Sequence, residues 1–317
     1  MVYESKGTLA WSDVGIQKAW DSVITELLNN ETVFYKQTPR KKSNSMEHKF
    51  IAVYDRNDAV GPITSVDSLV GSSTGKLELT HKLKQYRAAI SIEDVRVLEA
   101  KQNGIGILKD AFASEFEYVM EDLGKDLNSA FYADSQTEGI QTTPGVGSAN
   151  PVDGLRGLLK TTGTIYGNSR SSYSSLASNV DTSTTAFTLS DFRNWISTLK
   201  TNGGRNFIVY TTPTIKAIIL NKMESNKMYL GTSSQAGFVG ELTVDGIPII
   251  EDSDCPAYHI FILDKNAYYI AEFSKFSMVD ESKLATNNLS TTKAVWGHLD
   301  LVFRKFNTSY KITGITS

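Results

Sequence analysis

A single cysteine in 317 residues, Cys255, excludes an intramolecular disulfide framework. The four histidines, His48, His81, His259 and His298, are scattered along the chain, so a sulfur-rich zinc site is excluded as well. Positive charge is not in excess either: 32 Lys+Arg stand against 35 Asp+Glu, net -3, which argues against a dedicated polyanion binder. No window approaches the roughly 18 uncharged apolar residues of a membrane span. The N-terminus, Met1-Val-Tyr-Glu-Ser-Lys-Gly7, meets charge early and develops no apolar leader. We expect a soluble, unsecreted protein.

Catalytic motifs are missing too. There is no G-x-x-x-x-G-K-[ST], no G-x-S-x-G and no H-E-x-x-H, and Gly104-Ile-Gly106 lacks the third glycine of a dinucleotide fingerprint. Cys255 and His259 are close enough in sequence to suggest a thiolate and its base, but Pro256 and a strand follow the cysteine instead of a helix N-terminus that would activate it. A structural cysteine is the expectation. Asp252 and Asp254 lack the spacing, glycine and closing Glu of an EF-hand and read as a turn. Asn30, Asn288 and Asn307 begin glycosylation sequons, which without a leader are chance matches. The chain is expected to be no enzyme and to hold no cofactor and no metal.

What is present is pattern. Hydrophobic residues make up 40% of the chain, enough for one large domain or two ordinary ones. Residues from Trp11 to Leu28 repeat at helical spacing, and a polar, basic stretch with Arg40, Lys41 and Lys42 follows, read as an extended arm because Pro39 forbids a continued helix. From Leu77 the period is two: Leu77, Leu79 and Leu83 share one face, Lys76, Glu78, Thr80, Lys82 and Lys84 the other. The phase then flips, since Tyr86, Ala88, Ile90 and Ile92 become the apolar set, which predicts a bulge or a change of partner near Gln85. The strand's expected partner is Phe50 to Tyr54, making a long hairpin with little core of its own. Ser91 is expected to open a short helix closed by Asn103-Gly104.

The clearest segment is Ile105 to Tyr132. Leu108, Phe112, Phe116, Val119, Leu123, Leu127 and Phe131 step by four and three with no proline, predicting a helix on the order of 40 Å long. Its acids, among them Glu115, Glu121 and Asp122, lack the Glu-x-x-His of a carboxylate-bridged metal centre and read as a solvated or partner-facing side. From Thr161 to Ala186 Ser, Thr, Gly and Asn dominate and only Arg170 and Asp181 are charged, a loop-rich stretch. A helix capped by Ser190, a buried strand Phe207–Tyr210 and a helix from Pro213 to Met223 come next. Asp245-Gly246 joins two short strands, and Pro248 is expected to confine the second to an edge or bulge. Strands are predicted at His259–Leu263, Ala267–Ala271, Phe276–Val279, Ala294–Phe303 and Tyr310–Ile315.

This order of parts resembles the major capsid protein of tailed phages and archaeal tailed viruses, the Hong Kong 97-like fold. Three stretches carry the resemblance: Ala88-Ala-Ile-Ser-Ile-Glu-Asp94 leading into the long helix, Gly240-Glu-Leu-Thr-Val-Asp-Gly-Ile-Pro-Ile-Ile250, and His298 to Arg304 with Tyr310 to Gly314. It implies an α+β fold with an N-terminal arm (1–48), an extended β-hairpin loop (49–92), a peripheral domain (93–160 and 268–317) built on a spine helix (105–132), and an α/β axial domain (161–267). The implied function is self-assembly into hexamers and pentamers of an icosahedral head that encloses double-stranded DNA without sequence specificity. The implied partners are copies of the chain, a portal, a decoration protein and a scaffold, and the implied location is the virion, assembled in the host cytoplasm with no membrane. Some relatives carry a removable scaffolding segment; here the arm helix starts at once, so either a separate scaffold serves or the chain is the mature product, and the initiator-like Met1 favours a separate scaffold. Some cross-link a loop Lys to a neighbour's Asn, for which Lys76 is the candidate. The residues expected at assembly interfaces are Arg40, Lys41, Lys42, Lys76, Glu115, Glu121, Asp122, Gly246 and Pro248. Residues 109–138 hold eight acids against two bases, so the basic arm or hairpin of one copy is expected to lie on the next copy's helix. The alternative is a phage-tail or cell-surface β-rich adhesion module, which the long helix disfavours.

Overall fold

The computed structural model describes residues 32–55, 74–93, 105–134, 152–227, 242–279 and 290–316. The helix expected at 11–28, the hairpin tip and the close of the short helix at Asn103-Gly104 lie outside them. In chain order the elements are α1 (Val33–Gln37), β1 (Arg40–Lys42), β2 (Glu47–Val53), β3 (Lys76–Lys82), β4 (Lys84–Glu93), the spine helix α2 (Ile105–Tyr132), α3 (Leu155–Leu158), β5 (Thr164–Ile165), β6 (Asn168–Ser169) and β7 (Asn179–Asp181). They continue with α4 (Leu189–Thr201), β8 (Phe207–Thr211), α5 (Pro213–Lys227), β9 (Leu242–Val244), β10 (Ile247–Glu251), β11 (His259–Asp264), β12 (Tyr268–Val279), β13 (Ser290–Phe303) and β14 (Tyr310–Thr313).

The spine helix has the predicted bounds. Phe116, Met120, Leu123, Leu127, Ala130 and Phe131 line its buried stripe, three and four residues apart, and it packs against β4. β4 is one edge of a four-stranded sheet ordered β1-β12-β13-β4, antiparallel except where β1 runs parallel to β12. β2 and β3 form the separate hairpin, with Phe50 opposite Leu79 as expected. The predicted phase change falls at Leu83: β3 pairs with β2, β4 pairs with β13, and Leu83 between them is buried. Consecutive burial of Leu83 and Lys84 is how the strand switches faces, so Lys84 is not on the wet side. β4 runs on through Glu93, so Ser91 lies in a strand, and the remainder of the short helix expected there, 94–104, lies outside the described residues.

The two strands expected at Ala267–Ala271 and Phe276–Val279 are one, β12, whose register slips between Glu272 and Ser274 and again before Ser277. The slip lets the Phe276 ring lie over Gly297, where a Cβ would come within 2.9 Å of it. A six-stranded sheet, β7-β14-β11-β8-β10-β9, makes the second layer system. Its β9–β10 turn puts Asp245 at φ 50° and Gly246 at φ 79°, the paired left-handed conformation of a two-residue hairpin. Contrary to expectation Pro248 lies on an interior strand, between β9 and β8. It stands opposite Thr243 at a position that exchanges no bonds with β9, and the parallel ladder to β8 begins one residue later, at Ile249. α4 is capped by Thr188, two residues before the expected Ser190: its hydroxyl accepts from Asp191 N–H at 3.1 Å.

Every residue of β8 is buried because both faces of this sheet are covered. Ile208, Tyr210, Phe261 and Leu263 join the spine helix, the four-stranded sheet and the inward face of the hairpin in one core. Val209, Ile260 and Ile262 face a second core with α4 and α5.

The arm requires the largest correction. Far from standing away from its own subunit, Phe34 is fully buried, its ring 5.6 Å from Phe131, 5.5 Å from Tyr132 and 5.1 Å from Tyr210. Likewise Phe50, Ala52, Leu79 and Leu83 bury the hairpin's inner face at home. Burial of aromatic area in an existing core outweighs the cost of ordering these short segments. Replacing Phe34 by Ala should therefore lower the unfolding free energy by about 3–5 kcal/mol, read from the urea midpoint at unchanged slope; a change within error would show the arm to be loosely held.

Candidate assembly surfaces

The outer side of the spine helix carries Glu117, Tyr118, Asp122, Lys125 and Asp126, all exposed, with Glu121 half-buried. Glu121 pairs with Lys125 one turn on, and Asp126 accepts from the Tyr86 hydroxyl on β4. Tyr118 is 65% exposed amid these acids. The backbone of Glu115 lies in the same helix.

The basic residues expected to reach a neighbour are partly engaged in their own subunit. Arg40 lies 3.7 Å from Glu272 and its guanidinium sits 4.0 Å above the Tyr35 ring. Lys41 Nζ is 4.4 Å from the centre of the Tyr269 ring, and Lys42 is exposed. Lys76 is exposed at the start of β3, opposite Val53. Gly246 and Pro248 serve the β9–β10 hairpin itself. The structure thus spreads these candidates over three separate surfaces.

A further surface escaped sequence reading. Between the hairpin and the body runs a groove of about 580 Å³, lined by Ile51, Val53 and Tyr54 and by three cations, Arg205, Arg304 and Lys305, the last bonded to the Asn202 carbonyl, against two acids, Asp55 and Asp264. Ile51 is 54% and Val53 50% exposed, an apolar strip on the hairpin's outer face. Alternation along β2 contained the signal, but without the fold nothing connected it to Arg205 and Arg304.

Two buried polar nodes tie these surfaces together. On the spine helix, the Asn128 amide donates to both Asp252 oxygens (3.0 Å each) and to Asp254 Oδ2 (2.7 Å), while its Oδ1 accepts from Phe34 N–H (3.2 Å). The Tyr132 hydroxyl (2.9 Å) and the Asp254 N–H (3.0 Å) also donate to Asp252. Burial pushes the Asp252 carboxyl up, against the pull of these donors. The second node, His81, Lys84, Asp153 and Asp300, lies at the hairpin's root, with His81 Nε2 donating to Asp300 Oδ2 at 2.7 Å. Ligand atoms of His81, Asp153 and Asp300 fall within 4.8 Å of one another, a spacing suited to a cation, and the Lys84 ammonium supplies that cation. The loop-rich stretch is organised by its only two charges: Arg170 donates to the carbonyls of Leu176 and Leu158, and Asp181 accepts from Ser183, Thr184 and Trp195.

Cys255 is buried, and burial, with the Asp252 carboxylate behind it, pushes its thiol up, away from reactivity. His259 donates instead to the Ala257 carbonyl at 2.7 Å.

A family model described as the SU10 major capsid protein matches residues 8–316. The chain belongs to this family. It is a major capsid protein, a structural component of the virion shell formed with copies of itself, and the tail or adhesion alternative falls away. Its fold is Hong Kong 97-like. The capsid asymmetric unit of cyanophage A-1(L) aligns at TM-score 0.63 and 16% identity, over 100% of this chain and 96% of that one. The virus-like particle from Pyrococcus furiosus aligns at 0.53 and 13%, over 94% and 100%, and Mycobacterium phage Adephagia at 0.57 and 11%, over 90% and 91%. No curated protein matches.

For this capsid protein, Asn128→Ala should cost about 1–3 kcal/mol of stability, because Asp252 stays buried after losing two donor contacts; a urea midpoint equal to wild type would remove the node from the fold's energetics. Thiol reagents should label Cys255 only as fast as the subunit unfolds, and rapid labelling of the native protein would contradict its burial.

Proposed function

We propose that copies associate head to tail, the acidic side of one subunit's spine helix entering the groove between the next subunit's hairpin and body, and that rotation closes the contact into hexamers and pentamers. What supports the reading is the match between two surfaces on one chain. Tyr118, highly exposed among Glu117, Glu121 and Asp122, complements a groove that offers Ile51, Val53 and Tyr54 to the ring and Arg205, Arg304 and Lys305 to the acids. Lys41, Lys42 and Lys76 add positive charge on separate surfaces, where they steer encounter more than they hold it.

The division into arm, extended loop, peripheral domain and axial domain belongs to the same proposal, supported by the two cores on either side of the six-stranded sheet. The shell encloses double-stranded DNA, and a net charge of -3 suits a wall that confines DNA without gripping it. A separate scaffold, a portal and a decoration protein complete the proposed partners, with assembly in the host cytoplasm.

The test is charge exchange. Glu121→Lys with Asp122→Lys should stop shell formation in negative-stain microscopy while circular dichroism stays native. Arg205→Glu with Arg304→Glu should do the same. Mixing the two variants should restore rings, since each supplies the partner the other has lost. Normal shells from either variant alone would refute the contact.

A further inference from the structure

The polypeptide changes sheets at Leu83, and the side chains on either side of that elbow meet in the interior. His81 lies one residue before the end of the hairpin and Lys84 begins β4; Asp300 projects from β13 and Asp153 from the segment leading into α3. All four side chains are at most 3% exposed. His81 Nε2 stands 2.7 Å from Asp300 Oδ2 and 3.8 Å from Asp153 Oδ2, and Lys84 contacts Asp153 and lies 3.4 Å from Asp300 Oδ2. The remaining Asp300 oxygen accepts from the backbone N–H groups of Asp153 (2.9 Å) and Leu301 (2.8 Å). With a proton on both His81 nitrogens the cluster holds two positive and two negative charges. Remove that proton and two buried carboxylates face a single ammonium, a deficit that burial makes costly.

We propose that the His81–Lys84–Asp153–Asp300 cluster is a proton-gated clamp fastening the extended hairpin to its own subunit, closed while His81 is protonated and loosened when it is not. The clamp acts within one subunit and does not depend on the proposed contact between copies. The other titratable groups facing it are Tyr166, whose ring meets His81 edge-on at 5.1 Å, and His48, its cross-strand partner on β2, which in turn meets Tyr269 beneath Lys41.

The direction of the linkage supports this. Burial, the largest single influence, would lower the His81 pKa, yet the Asp300 and Asp153 carboxylates together outweigh it, and the imidazole stands above its ordinary value. Burial first, then Asp300, pushes the Asp153 carboxyl up to about 6. Both groups therefore bind protons more tightly folded than unfolded. Their contributions are complete below the ordinary values and are lost as pH rises through the folded ones. Asp300, held low by Lys84 and His81 against its burial, opposes this only toward the acid end, where its contribution is lost as pH falls through its depressed pKa. The clamp thus weakens toward alkaline pH.

Hydrogen exchange on the purified full chain reads the clamp directly. Between about pH 6 and 9, once corrected for intrinsic rate, opening of β3 should rise toward about tenfold per pH unit as His81 deprotonates, while β8 stays protected. His81→Gln, which has no proton to lose, should exchange faster at every pH with a flat profile. A pH-independent wild type, or the same slope in the variant, would overturn the proposal. If His81→Gln fails to fold, the wild-type protein still decides: by NMR, His81 should titrate above His48, His259 and His298, all three of which lie below the ordinary imidazole value. A His81 titrating among them would overturn it. Added zinc should leave the exchange profile unchanged, and zinc-dependent protection would make the cluster a metal site instead.

Discussion

Burial of one stripe of the spine helix organises this subunit. Most of a helix's stability in a protein comes from packing its apolar face and not from propensity, so the stripe from Phe116 to Phe131 needs a continuous apolar partner. The four-stranded sheet is that partner, and everything else is placed by how it reaches the same core. α1 inserts Phe34 near the helix's C-terminal end, the hairpin presses Phe50 and Leu79 into the core, and β8 and β11 offer one face of the second sheet. The helix's other side is left to acids and Tyr118, which makes it a surface for something outside the subunit.

Polar groups inside this core give it direction. Apolar packing is tolerant of small rotations, whereas Asn128 bonded to Phe34, Asp252 and Asp254 admits one arrangement of arm, helix and axial sheet. The charged cluster at Leu83 does the same for the hairpin. A two-stranded ribbon is marginal when alone; one whose root is fixed by four buried charges can present Ile51 and Val53 at a defined angle. The arm and hairpin are therefore anchored structures whose outer faces remain for neighbours.

Much of the architecture was legible from periodicity, because it depends on local repeats. The step of four and three from Phe116 to Phe131 marked the spine helix to its final residue, and the change of apolar parity between Leu83 and Tyr86 marked the strand's change of partner. Asp245-Gly246 marked a turn that only those residue types adopt easily. The errors share a cause as well. Alternation and proline rules assign Lys84 to the wet face and Pro248 to an edge because each considers one strand, and whether a strand is edge or interior, wet or covered, is settled by distant segments. The sequence likewise does not reveal that Tyr35 and Glu272 lie beside Arg40 and Tyr269 beside Lys41, partly engaging both within their own subunit.

By itself the sequence determined the element types, the spine helix, the acidic side of that helix and the family's order of parts, since backbone periodicity and turn chemistry act over a few residues. Only the tertiary structure decided that the arm's anchor is Phe34, that a groove joins Ile51 to Arg304, and that His81, Lys84, Asp153 and Asp300 form one cluster. The cluster's residues are up to 219 positions apart, and no local rule brings charges from such distances into a space without water. The fold does so by bringing the hairpin, the four-stranded sheet and the segment leading into α3 to one point.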